Sequence, residues 1–196
     1  MPRIVDHERR RQDLAHAVWG LIRAQGVGGV SFGQLTRASG WSSGAIRHYL
    51  PTREALLAFA ARHVAERVSA RLQTLPRGSD PRRNFLALLR ELLPLDAERR
   101  AESEVWLAFV GLSVSDPRVA DEQGMGYRAL HDLYLACLTP LGAGGLPGGQ
   151  TPEDAATELQ ATVDGLAIHL LLGYITPEQA ERTLEGYVGR LLNSET

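Results

Sequence analysis

The chain has 196 residues, 44% of them hydrophobic, a formal net charge of -2 and a single cysteine, Cys137. That is ample apolar material for a core, and one cysteine excludes an intrachain disulfide and a Cys-based zinc cluster. No apolar run approaches the roughly 20 residues that span a bilayer, and MPRIVDHERRR lacks the apolar segment of a signal peptide, so a cytoplasmic protein with no membrane partner is expected.

The charge is unevenly spread. Residues 1–53 hold eight arginines against three acids, a net of +5, and the remaining 143 hold thirteen against twenty, a net of -7. A basic head on an acidic body points to nucleic acid. All 21 basic residues are arginine, a bias that reflects genome composition as much as chemistry.

Met1 to Val5 reads as a mobile arm, and His7-Glu8-Arg9-Arg10-Arg11 as either a basic extension or a solvated first turn. Leu14, Val18, Leu21 and Ile22 mark an amphipathic helix over Leu14 to Ala24, ended by Gln25-Gly26 with Gly26 as a left-handed cap. Phe32, Leu35 and Ala38 then recur at helical spacing until Ser39-Gly40-Trp41 interrupts them. Ser42 or Ser43 can cap a second short helix through the free N–H groups of its first turn. Two brief helices joined by a Gly-containing turn form a helix-turn-helix, whose second helix enters the major groove of DNA. That second helix opens with the small residues Ser42, Ser43, Gly44 and Ala45 and ends with Arg47, His48 and Tyr49, leaving room where DNA would sit. Trp19 and Trp41 read as core or core-rim aromatics of a small head.

This stretch resembles the DNA-binding domain of TetR-type transcriptional repressors. The matching residues are Gln25-Gly26, Val30-Ser31-Phe32, Ala38-Ser39-Gly40-Trp41-Ser42, Gly44-Ala45-Ile46, His48-Tyr49-Leu50 and Thr52-Arg53-Glu54 with Leu56-Leu57. Three positions depart from the usual pattern, which most often has an aromatic residue for Arg47, Phe for Leu50 and Lys for Arg53. Leu50 is a similar core residue and Arg53 keeps the charge. Arg47 can pair bidentately with guanine or grip phosphate. The resemblance implies phosphate contacts from Ser31, Ser42, Tyr49 and Arg53, with Ser43, Gly44, Arg47 and His48 facing the groove of double-stranded DNA.

Pro51-Thr52 stops the head and caps a long helix from Arg53 to about Leu75, with Leu56, Leu57, Ala60, Val64 and Val68 on one face. In the resemblance this helix joins head to body and carries any allosteric signal. The chain is therefore divided into a helix-turn-helix domain, residues 1–52, and an effector-binding and dimerisation domain, residues 53–196. Pro76-Arg77-Gly78-Ser79 breaks the helix, and Asp80 or Ser79 caps the next. Phe85, Leu88, Leu89, Leu92 and Leu93 form one segment ended near Pro94. Ala97 to about Val114 carries Val105, Trp106, Phe109 and Leu112, and a further helix from about Val119 to Leu138 carries Met125, Tyr127, Leu130 and Tyr134. Thr139 to Gln150, TPLGAGGLPGGQ, is too rich in Gly and Pro for helix and reads as a flexible loop. Thr151-Pro152-Glu153 and Thr176-Pro177-Glu178 repeat one helix-start signature and launch residues 152–172 and 177–192.

The fold class is thus all-α: a three-helix head and a larger helical body, about nine helices in all. Glu91 to Leu95, Glu104 to Phe109 and Val163 to Ala167 look like the effector domain of the BetI-like branch. That resemblance implies a homodimer formed by the last two helices, with Leu159, Val163, Leu166, Leu170, Leu184, Tyr187, Val188 and Leu191 as candidate interface residues. A small-molecule effector would be held among Trp106, Phe109, Met125, Tyr127, His131, Tyr134, Asp164 and His169, although any single one of them is more readily explained as core. Rings of this kind suit an organic cation such as a quaternary ammonium. Asp164 is either a polar partner of a helix end or a pocket group.

No catalytic constellation, phosphate loop or metal-ligand spacing is present, so an enzyme, a cofactor and a metal are not expected. The expected function is sequence-specific transcriptional regulation, by a repressor released from a palindromic operator by its effector. A transcriptional activator of the same fold, or a helical protein-binding adaptor, is the alternative; the adaptor leaves the basic head unexplained.

Overall fold

A computed structural model describes residues 7–114, 116–142 and 145–192, with backbone alone at 7, 8, 27–29, 118 and 122. The arm expected at Met1 to Val5 lies outside the described residues. Among the described residues are nine α-helices, one short 3-10 turn and no strand: α1 (His7–Gly29), α2 (Phe32–Ser39), α3 (Ser43–Tyr49), α4 (Arg53–Thr74), α5 (Pro81–Arg90), α6 (Ala97–Ser113), α7 (Pro117–Leu141), α8 (Pro152–Leu171) and α9 (Pro177–Leu192).

Capping chemistry sets most of the starts. Ser31 and Gln34 form a capping box on α2, and Ser42, Thr52, Asp80, Asp96 and Thr151 each accept from a first-turn N–H of the helix that follows. Thr176 and Gln179 form a second reciprocal pair, at 2.8 and 3.3 Å. The α2–α3 turn depends on Gly40, whose φ of 70° a residue with a Cβ adopts only under strain.

Two apolar clusters hold the helices. The first gathers Leu14, Val18, Trp19, Ile22, Leu35, Ile46 and Leu50 from α1–α3 and their connections, with Leu56, Phe59, Ala60 and Val64 of α4 and Ala101 and Val105 of α6. The second is the body core of α5, α7, α8 and α9, in which Leu89, Leu93, Tyr134, Leu138, Leu159, Leu184 and Val188 are fully buried.

Several expectations are corrected. α1 begins at His7 rather than Leu14, taking in the run from His7 to Arg11 as helix; the turn out of helix at Gly26, φ 69°, is where it was expected. Ala38 is exposed rather than on the apolar edge. α7 runs on to Leu141 with Pro140 inside its last turn, and Leu146 of the Gly/Pro-rich segment is 8% exposed and packed into the body core. Most important, Leu159, Val163, Leu166, Leu170, Leu184, Val188 and Leu191 are all buried within the chain's own core. Side chains already hidden from water have little area left to lose to a partner; of the expected set, Tyr187 alone is half-buried.

Where α1 meets α4, His63 packs beside Trp19 and 6.3 Å from His16, with its Nε2 buried and without a hydrogen-bond partner. Burial, reinforced by the Arg67 charge, pushes the imidazole below its ordinary value. The unfolded chain therefore binds the extra proton first, and the stability that neutral His63 contributes is lost as pH falls below about 6.5. In thermal melts between pH 7.5 and 5.5, His63→Leu is expected to lose less stability than the wild type.

Candidate functional site

The head presents one polar face built on two buried anchors. Ile46 and Leu50 are 0% and 4% exposed, which turns Ser42, Ser43, Gly44, Arg47, His48 and Tyr49 outward. No neighbouring atom lies within 4 Å of where a Cβ on Gly44 would stand, so that surface is open. The Arg47 guanidinium carbon stands 4.9 Å from the centre of the Phe32 ring, lying across the junction of α2 and α3. Tyr49 is wedged between His48 and Trp41, with ring centres 5.6 and 5.5 Å away. Arg53 is exposed on the first turn of α4, and Ser31 is exposed at the cap of α2. Seven of the eight residues expected at DNA thus occur at the caps or on exposed turns of the α2–α3 helix-turn-helix, and Arg53 opens the helix that follows. The Arg10 guanidinium lies 5.8 Å from the Trp41 ring; no local pattern in the sequence marks that contact, because it joins residues thirty-one apart.

In the body, three helices converge on one carboxylate. Tyr127 of α7 hydrogen-bonds Asp164 of α8, and it is hydrogen-bonded in turn by Trp106 of α6 and by Gln123 one turn earlier on α7. Burial raises the Asp164 carboxyl to about 6, partly offset by the Tyr127 hydroxyl, and burial beside Asp164 pushes Tyr127 up to about 12. Tyr134 is 0% exposed, its hydroxyl has no partner, and burial and the Asp164 charge both raise it. A desolvated carboxylate among aromatic rings is a place where a cation replaces lost hydration.

The other expected pocket residues have these surroundings. Phe109 is buried at 3%, Met125 is 59% exposed, His131 Nε2 is 3.3 Å from Thr157 Oγ1, and exposed His169 stacks edge-on to Tyr174 at 6.1 Å. Gln123 is not among the expected pocket residues; its spacing of four from Tyr127 is the signal the sequence offers. No group of three His, Cys, Asp or Glu side chains suited to a metal occurs among the described residues, and none of their helices is long and apolar enough to cross a membrane.

Comparison with known proteins agrees with this layout. Residues 81–193 match the family of the BetI-type transcriptional repressor C-terminal domain. The HTH-type transcriptional regulator PksA of Bacillus subtilis is 34% identical over 173 residues, covering 88% of this chain and 83% of PksA. Among solved structures, a transcriptional regulator from Rhodococcus sp. RHA1 superposes with a TM-score of 0.78 at 30% identity, covering 93% of this chain and 95% of that one. A transcriptional regulator from Saccharomonospora viridis, solved in complex with choline, superposes with a TM-score of 0.77 at 23% identity over 93% and 96% of the two chains. With its helix-turn-helix head and BetI-type body, the chain belongs to the TetR-type family and is a DNA-binding transcriptional regulator rather than an enzyme.

Proposed function

We propose that this regulator is a cytoplasmic homodimeric repressor that leaves a palindromic operator when an organic cation binds beside Asp164. The observation that carries the reading is the Asp164–Tyr127–Trp106 network, which offers a cation one buried charge and several rings. The complex of the Saccharomonospora viridis neighbour makes choline the first cation to try.

Ser31, Ser42, Tyr49 and Arg53 hold phosphates while Ser43, Gly44, Arg47 and His48 face the groove. Residues 1–52 act as the reading unit, with α4 shared between it and the body of residues 53–196. Since the inner faces of α8 and α9 are consumed by the core, the subunits meet through the outer ones. Ala161, Gly165 and Ile168 lie there with Tyr187, and Leu172, 62% exposed, extends the same face. Exposed leucine and small residues let two such helix pairs approach closely.

The test starts from an operator selected from random duplexes, with binding followed by fluorescence anisotropy in excess unrelated DNA. Tight binding that falls steeply with salt, and release by choline, are the expected results. Failure to select any duplex sinks the reading, and selection without release by choline removes its effector half. In the same assay Arg47→Ala is expected to weaken binding by about 1–3 kcal/mol and to relax preference at one base pair. A loss equal for all sequences assigns Arg47 to phosphate instead.

A further inference from the structure

Between head and body runs a set of charges that neither DNA contact nor effector binding uses. Glu102 on α6 is only 4% exposed, and Arg71 of α4 grips it with both Nη atoms, at 2.9 and 2.6 Å. Arg71 Nε also lies 2.8 Å from Glu91 Oε2, and Arg99 reaches Glu91 at 3.1 Å and Asp96 at 3.0 Å. The seam borders a cleft of about 360 Å³ lined by Arg67, Arg71, Glu91, Asp96, Glu98 and Arg99.

Arg67 differs from its neighbours in touching α1 as well as α6. It belongs to α4, pairs with Glu98 of α6, lies 3.6 Å from Glu102, and carries its guanidinium 5.0 Å from the ring centre of Trp19 in α1. Trp19 is 7% exposed in the head core, so the charge is set against a ring the head cannot release without opening. On α6 the same turns send Ala101 and Val105 into that head core, while Trp106, one turn beyond Glu102, packs on the body core. Arg67 stands fourteen residues beyond Arg53, about 21 Å along the helix, away from the DNA end of α4.

We propose that Arg67 is the positioning residue that couples the head to the body, holding Trp19 of α1 to Glu98 and Glu102 of α6 so that displacement of α6 at Trp106 reorients the reading helix. The coupling half rests on the effector reading above; the positioning half does not. A guanidinium suits this joint because it stacks on an aromatic face and pairs in its own plane at once, which an ammonium does not.

The test uses the full-length protein, the selected operator and choline, with the variants Arg67→Met, Arg67→Lys and Glu102→Gln. Three readouts separate the roles: operator affinity and its salt slope, choline affinity without DNA, and the ratio of operator Kd with and without saturating choline. For Arg67→Met and Glu102→Gln, operator affinity is expected to drop about tenfold with the salt slope unchanged, and choline affinity to stay within about twofold. The Kd ratio is expected to collapse toward one, from a wild-type value on the order of tenfold or more. Arg67→Lys, charged but unable to stack and pair together, is expected to restore less than half of the coupling. Variants that keep both the operator affinity and the ratio overturn the proposal. If wild-type protein ignores choline, the effector reading fails on its own, and operator affinity alone decides: an unchanged value in a folded Arg67→Met sinks the positioning role.

Discussion

Gly44→Glu is expected to keep the fold and to lose operator binding by a hundredfold or more. Gly44 is the second residue of α3, its Cβ position is open, and its φ lies outside the left-handed region, so a side chain meets no obstacle within the protein. A helix prefers other residues to glycine by up to about 1 kcal/mol, and an acid in the first turn is favourable to the helix dipole, so the melting temperature is expected to hold or rise. On DNA the same side chain brings bulk and negative charge against phosphates and base edges, a juxtaposition that costs several kcal/mol. Gly44→Ala adds one methyl group and is expected to stay within about tenfold of wild-type affinity. Melting curves and anisotropy on the selected operator check both halves. A Gly44→Glu protein that binds as the wild type does would remove α3 from the groove.

The second large effect concerns Asp164, where stability and function pull in opposite directions. Its carboxyl titrates at about 6 in the fold, against an ordinary 3.8, because burial opposes the charge. Between those values the folded chain holds the proton more tightly than the unfolded one, so stability falls as pH rises through the window and stays lower above it. The cost of the buried charge above pH 6 is on the order of 2–3 kcal/mol. Asp164→Asn keeps an acceptor for the Tyr127 hydroxyl without the charge, and is expected to melt on the order of 5 °C higher at pH 8, with the difference shrinking toward pH 5. The same variant is expected to lose most of its affinity for choline. In the wild type a cation favours the ionised carboxylate, so choline affinity is expected to rise from pH 5 to pH 7 and binding to release a proton. Calorimetry in buffers of different ionisation enthalpy measures that proton directly. A variant destabilised at pH 8, with unaltered choline binding, would make Asp164 a structural group.

Much of this architecture was legible in the residues because its signals are local. A serine, threonine or aspartate ahead of a helix supplies an acceptor to the nearest amides whatever the rest of the chain does, and Ser42, Thr52, Asp80 and Thr151 all cap as their positions imply. Gly40 turns where only glycine turns easily, and the uneven distribution of arginine marks the head before any fold is known. The outward residues of α3 follow from Ile46 and Leu50, since an apolar anchor on a short helix decides which side is left.

What the amino-acid order did not decide is which partner each apolar or charged side meets. The stripe on α8 and α9 has the same periodicity whether it faces a second subunit or its own body, and only the packing of α5, α7, α8 and α9 shows that this chain keeps it inside. Leu146 lies in a segment whose composition argues for exposure, yet the body core offers it a place. Asp164, Tyr127 and Trp106 come from three helices, and Arg67 reaches Trp19 across forty-eight positions. Helical periodicity determines the direction in which a side chain leaves its own axis; the distance to residues far along the chain is set by how the axes pack, and that is a property of the tertiary structure alone.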